Sequence, residues 1–335
     1  MIKHRDEQFD ITATSIVDNK QEKNFFGGDV EIIKQDSEGT RYRISAQDGD
    51  VILSSYRVFD GIYLIYNDVH TKGYRIEKKD SGDILQINHC LEGRIEYSLN
   101  EQEYIFLEPG DMSINFVSDE ESHFCFPTGH YHGITIMIDT KKAPNCLSCF
   151  LDDVDVKPVA LAEKFCKNKC GYISRSEECF EHIFSELYSV KDSIRKGYFK
   201  IKVLEILLFL SGMDINEKEL DKRSYTKSQV ELAKAISRYI ADNLSEKITI
   251  DELSNIFHVS PTHLKNCFKG VFGVSVYVYI RTQKMAAAAR ILKTTNLTII
   301  DIASQMGYDN GSKFAKAFKD VVGVTPTEYR ALTCE

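Results

Sequence analysis

At 335 residues, 43% of them apolar and 27% charged, the chain has an ordinary globular composition with room for two domains, which excludes a collagen-like, low-complexity or disulfide-stapled protein. Its nine cysteines, an odd number, read as reduced thiols. The net charge of −8 is unevenly spread: Tyr225 to Glu335 holds 14 Lys and Arg against 10 Asp and Glu, leaving 28 against 40 elsewhere, the asymmetry expected when one module alone touches phosphates.

The start, Met1-Ile2-Lys3-His4-Arg5, is charged and lacks the apolar core of an export signal. From about Phe25 to Asp139, short β-rich runs alternate with turns. Ile84–Ile87, Arg94–Leu99, Tyr104–Leu107 and Ile134–Ile138 are candidate strands, separated by Ser81-Gly82-Asp83, Leu99-Asn100-Glu101 and Glu108-Pro109-Gly110-Asp111. Short strands at such spacing predict a sandwich or small barrel. From Pro158 to Met213 the period turns helical: Phe180, Ile183, Phe184 and Leu187 share one helix, and Ile201, Leu204, Leu207, Leu208 and Leu210 another. An exposed apolar stripe there suits either a dimer contact or packing against the chain's own barrel. The most apolar run, Val203 to Met213, is broken by Glu205 and too short to span a bilayer, so a cytoplasmic protein without a membrane partner is expected. Asn216 to Ser228, charged and poor in large apolar groups, reads as a linker.

Beyond it lies a repeat. Ile248-Thr249-Ile250-Asp251-Glu252-Leu253 aligns with Leu297-Thr298-Ile299-Ile300-Asp301-Ile302, and after a one-residue insertion Leu264, Phe268 and Lys269 align with Phe314, Phe318 and Lys319. Each copy reads as two short helices about a tight turn, a helix-turn-helix. In the first, Leu253, Ile256 and Phe257 face inward, Ser260 caps the second helix with Pro261 at its first position, and Leu264, Cys267 and Phe268 are buried. In the second, Ile299, Ile302, Ala303 and Met306 face inward, Gly307 ends the helix, and Phe314, Ala317 and Phe318 are buried. The second helices then expose Thr262, His263, Lys265, Asn266 and Lys269, and Ser312, Lys313, Lys316 and Lys319. The second helix of such a unit enters the major groove; residues near its start reach bases and lysines near its end reach phosphates. Val276 to Thr294, with Met285, Ala288 and Leu292 on one face, predicts a helix spacing the two readers.

Gly307-Tyr308-Asp309-Asn310, Phe314-Ala315-Lys316-Ala317-Phe318-Lys319 and Gly323-Val324-Thr325-Pro326-Thr327-Glu328-Tyr329-Arg330 resemble the signature of the AraC/XylS family of transcription regulators, over about the last third of the chain. The resemblance implies base contacts from Thr262, Lys265 and Asn266, and from Gly311, Ser312, Lys313 and Lys316, with weaker readout where Gly311 offers no side chain. It also implies a preceding cupin-like barrel that senses a small molecule, and a helical dimerisation segment.

His130-Tyr131-His132 invites a metal reading, since alternate strand residues share a face. The acidic ligand that should follow the pair is missing, so no metal is expected. Cys146, Cys149, Cys166 and Cys170 have zinc-like spacing, but Cys166 and Cys170 read as one face of a helix beginning near Val159 and so as free thiols. No phosphate loop or nucleophile elbow is present, and neither enzymatic activity nor a cofactor is expected.

The expectation is a multidomain α+β protein: a cupin-like β-rich sensor over 1–157, a helical dimerisation segment over 158–215, a linker over 216–228, and an all-α double helix-turn-helix domain over 229–335. Its expected function is sequence-specific regulation of transcription, as an activator. Its partners would be double-stranded promoter DNA, a small-molecule effector, a second copy of the chain and RNA polymerase. An effector pocket is placed on Phe124, Phe126, His130, Tyr131 and His132 by their density alone. The rival readings are a metal-dependent cupin enzyme fused to a DNA-binding domain, and a regulator controlled by a partner protein.

Overall fold

Period-two burial in the first half and period-3.6 burial in the second separate a β-rich part from a helical one. The computed structural model describes residue 26 and residues 30–76, 84–99, 101–116, 122–148, 156–166, 171–175, 178–214 and 224–333. The chain divides into two units, residues 1–97 with 107–222 and residues 98–106 with 223–335. No helix among the described residues is long and apolar enough to cross a membrane.

In chain order the strands are β1 (Glu31–Gln35), β2 (Thr40–Ala46), β3 (Gly49–Phe59), β4 (Ile62–His70), β5 (Gly73–Ile76), β6 (Ile84–Gly93), β7 (Ile95–Ser98), β8 (Glu103–Leu107), β9 (Met112–Phe116), β10 (Ser122–Cys125), β11 (Tyr131–Asp139) and β12 (Tyr172–Ser174). The first unit is built on an antiparallel eight-stranded sheet in the order β1-β2-β3-β4-β11-β6-β9-β12. The expected strands at Ile84–Ile87 and Ile134–Ile138 are its middle; Ser81–Asp83 lies outside the described residues. The central β11 is apolar along most of its length because both of its faces are covered.

One face of the sheet carries α1 (Pro158–Phe165), α2 (Glu178–Leu187), a 3-10 turn (Asp192–Ile194) and α3 (Arg195–Gly212). Its core joins Leu64, Ile87, Ile114 and Ile136 to Phe180, Phe184, Phe199 and Val203. The other face buries Leu53, Ile65, Val69, Cys90, Phe126 and Tyr131, with β10 pairing to both β5 and β7.

Two expectations need correction here. The α3 stripe is not one face: Leu207 and Leu210 are buried, whereas Ile201 and Leu208 are 64% and 44% exposed. At 100° per residue, 201 and 208 share a side that 207 and 210 do not. Helix α1 ends at Phe165, so Cys166 lies at its C-cap, buried, its thiol pushed up to about 11 by that burial. Cys149 and Cys170 lie outside the described residues.

In the second unit β13 (Tyr225–Thr226) pairs with β8, and α4 (Lys227–Asp242) starts at once, with Thr226 and Gln229 in a reciprocal capping box. Helix thus begins two residues before the expected boundary at 229, and most of the expected linker lies outside the described residues. The side chain of Phe106, 1% exposed, sits in a core with Val230, Ala233, Leu264, Phe268 and Phe272, against the Tyr225 ring at 5.7 Å. A strand from the β-rich half of the sequence thus completes the helical unit.

Candidate nucleic-acid interface

The first repeat copy opens with α5 (Ile250–Phe257), whose N-cap Thr249 accepts from the Glu252 N–H at 3.2 Å while the Glu252 carboxylate accepts from the Thr249 N–H at 3.4 Å. Leu253 is fully buried and Phe257 half-buried. Ile256, expected inward, is 41% exposed, because the buried stripe runs through Ile250, Leu253, Ser254 and Phe257 and leaves it at the edge. His258 turns the chain in the left-handed region at φ 54°. Helix α6 (Pro261–Phe272) then begins, the Ser260 hydroxyl accepting from the His263 N–H at 3.3 Å and Pro261 filling the first turn. Burial of Leu264, Cys267 and Phe268 leaves Thr262, His263, Lys265, Asn266 and Lys269 on the outer face, all five exposed.

After α7 (Val276–Thr294) the pattern recurs in α8 (Ile299–Gln305), boxed by Thr298 and Asp301, and α9 (Gly311–Val322); α10 (Pro326–Thr333) closes the unit. Gly307 makes the turn at φ 72°, and a Cβ there would lie 2.7 Å from the Ser245 carbonyl oxygen. Asn310 caps α9, its Oδ1 accepting from Ser312 N at 2.8 Å and Lys313 N at 3.2 Å. Phe314, Ala317 and Phe318 are buried, leaving Ser312, Lys313, Lys316 and Lys319 exposed and Gly311 half-buried at the helix start.

Helix α7 anchors both copies. Met285, Ala288 and Leu292 are buried as expected. Lys284 reaches across to donate to the Glu246 carbonyl at 2.8 Å and the Met306 carbonyl at 2.9 Å, and burial pushes its ammonium pKa down. Arg281 pairs with Asp320 at the far end of α9. No acid occupies the outer face of α6, and the one on α9 is paired, so both helices present cations and N-terminal dipoles of one sign. Sequence reasoning missed Lys284 and the Arg281–Asp320 pair; both are contacts between distant positions with no local signature.

The other predicted site residues separate. A cavity of about 60 Å³ in the first unit is lined by Phe124, Phe126 and Tyr131 together with Asn67, Asn88 and Thr135. Thr135 Oγ1 donates to Asn88 Oδ1 at 2.8 Å and accepts from Asn67 Nδ2 at 2.9 Å. His130 and His132, expected in the same pocket, do not line it. Strand residues alternate sides, so His132 leaves β11 opposite Tyr131 and Thr135, and His130 precedes the strand.

The sequence profile of the Helix-turn-helix domain family matches residues 253–332. Over 108 residues the chain is 33% identical to the HTH-type transcriptional activator AarP of Providencia stuartii, a match that spans 32% of this chain and 80% of AarP. The chain belongs to the AraC family of transcription regulators. It is also 37% identical over 98 residues to AdaA of Bacillus subtilis (strain 168), a bifunctional transcriptional activator/DNA repair enzyme; that match covers 29% of this chain and 46% of AdaA, less than half of that relative. Among solved structures, the C-terminal domain of AraT, a response regulator from Geobacillus stearothermophilus, is similar at 31% identity over 30% of this chain and 84% of that one, with a TM-score of 0.30. As an AraC-family member, the chain is a DNA-binding transcription regulator.

Proposed function

We propose that this regulator is a sequence-specific activator that acts in the cytoplasm as a homodimer, and whose first unit answers to a small molecule. The observation that carries the DNA half is the pair of capped helices, α6 and α9, that hold buried aromatics on one side and exposed lysines with short polar groups on the other. Thr262, Lys265 and Asn266 with Ser312, Lys313 and Lys316 would read bases, His263 would face the DNA beside them, Gly311 would offer only its backbone, and Lys269 and Lys319 would meet phosphates. Activation implies RNA polymerase as a further partner, in keeping with the activator AarP.

For the effector, the cavity carries neutral hydrogen-bonding groups among aromatic walls and, among the described residues, no charged side chain, which suits a small uncharged molecule with polar edges. At about 60 Å³ it holds only a few heavy atoms until its walls move apart, so binding and rearrangement would be linked. For the dimer, Ile194, Ile201 and Leu208 repeat every seven residues along one exposed side of the 3-10 turn and α3.

Fluorescence anisotropy against a duplex from the gene's own upstream region and a scrambled duplex, over a salt series, tests the central reading. Specific binding tighter by about 10³ or more is expected. Asn266→Ala and Lys313→Ala should each lose about 1–3 kcal/mol of it, whereas Lys269→Ala should weaken both duplexes alike and reduce the salt slope by about 1. Absence of binding to either duplex at low salt would sink the reading.

A further inference from the structure

The acidic group that His130-Tyr131-His132 lacks nearby in sequence is supplied in space by a neighbouring strand. Strand β11 pairs antiparallel with β4 so that His132 stands directly opposite Asp68, and His70 lies two residues further along the same face of β4. The His70 Nε2 lies 2.8 Å and the His132 Nε2 3.5 Å from the same Asp68 oxygen, Oδ1, and the two imidazole rings meet edge to face at 5.3 Å. That oxygen is sealed from solvent, yet among the described residues it accepts no hydrogen bond.

We propose that Asp68, His70 and His132 form a divalent transition-metal site on the side of the sheet away from the cavity. One ligand atom from each residue lies within 4.8 Å of the others. Around a tetrahedral ion with bonds of about 2.0–2.1 Å, neighbouring ligand atoms sit about 3.3 Å apart, so modest side-chain rotation closes the set. Two imidazole nitrogens with one carboxylate oxygen suit a borderline ion such as zinc, nickel or cobalt and disfavour magnesium or calcium. The ligands come from two adjacent strands whose register is already fixed by eight residue pairs, so little ordering remains for the ion to impose. The remaining coordination position is left to water or to His130, whose ring lies 5.9 Å from that of His132. Glu92, facing His132 from β6 on the other side, adds a negative charge beside the ion.

The test uses the full-length protein, stripped with chelator and titrated with zinc by calorimetry and with cobalt by absorption. One ion per chain is expected, with cobalt d–d bands and without a thiolate charge-transfer band, together with a rise in Tm on adding zinc. His132→Ala and Asp68→Asn should each weaken binding by about 100-fold and abolish the Tm rise. Both side chains are partly exposed, and the Tm of each metal-free variant, matched to that of the metal-free parent, shows that the fold is kept. Binding of unchanged affinity in both variants, a thiolate band that survives in them, or no stoichiometric binding by the parent would overturn the proposal.

Discussion

His89 shows how a single buried side chain ties stability to pH. Its ring stacks on Phe184 at 4.1 Å and 9°, 4% of the residue is exposed, and burial holds its pKa down at about 4. Above the unfolded value near 6.5, neither state carries the proton and the residue has no pH effect. As pH falls from about 6.5 towards 4, the unfolded chain takes up a proton that the fold excludes, so stability drops, by roughly 3 kcal/mol in all. Urea denaturation at pH 7 and pH 4.5 should show this loss in the parent and a smaller one in His89→Phe. An equal loss in both would assign the pH sensitivity to other groups.

At the scale of elements, α3 divides its apolar residues between two jobs. Phe199, Val203, Ile206, Leu207 and Leu210 hold it to the sheet, while Ile201 and Leu208, in line with Ile194 of the preceding 3-10 turn, remain outside. Ile201→Glu places a charge in the middle of the outer row without touching the inner one. It should shift the protein from dimer to monomer in sedimentation equilibrium while leaving the stability of the chain's own fold within about 1 kcal/mol of the parent's. A dimer that survives this change would place the contact elsewhere. The same division explains what the sequence made legible. Helix starts such as Thr249-Ile250-Asp251-Glu252 and Ser260-Pro261 are local chemistry, read directly, and so are the exposed polar positions of α6 and α9. Which of two apolar rows on α3 faces the sheet is a tertiary choice that periodicity does not decide. Likewise, Asp68 meets His132 only through strand register, set by residues far away in sequence, and the faces of Tyr131 and His132 follow from where β11 begins.

At the scale of the whole molecule, the two units are not consecutive stretches of chain. Residues 98–106 belong with 223–335, and Phe106 fills the core of the first helix-turn-helix copy. Local pattern marks Tyr104–Leu107 as one more strand, and only the pairing of Tyr225 with Tyr104 reveals which unit owns it. In the full chain, Phe106→Ala leaves a cavity beneath α4 and α6 and should cost about 3–5 kcal/mol. Hydrogen exchange would find the loss in α4 and α6; protection unchanged there would mean that the strand is an ornament.

Ownership of that strand also bears on grafting and inheritance. Whoever cuts this protein at 223 to join its DNA reader to a foreign sensor leaves behind a piece that the reader needs, and Tyr225 and the apolar side of α4 lose their cover. A working hybrid must bring the strand along or supply a substitute. The part that can be exchanged between regulators is therefore not the part that lies between two points on the chain.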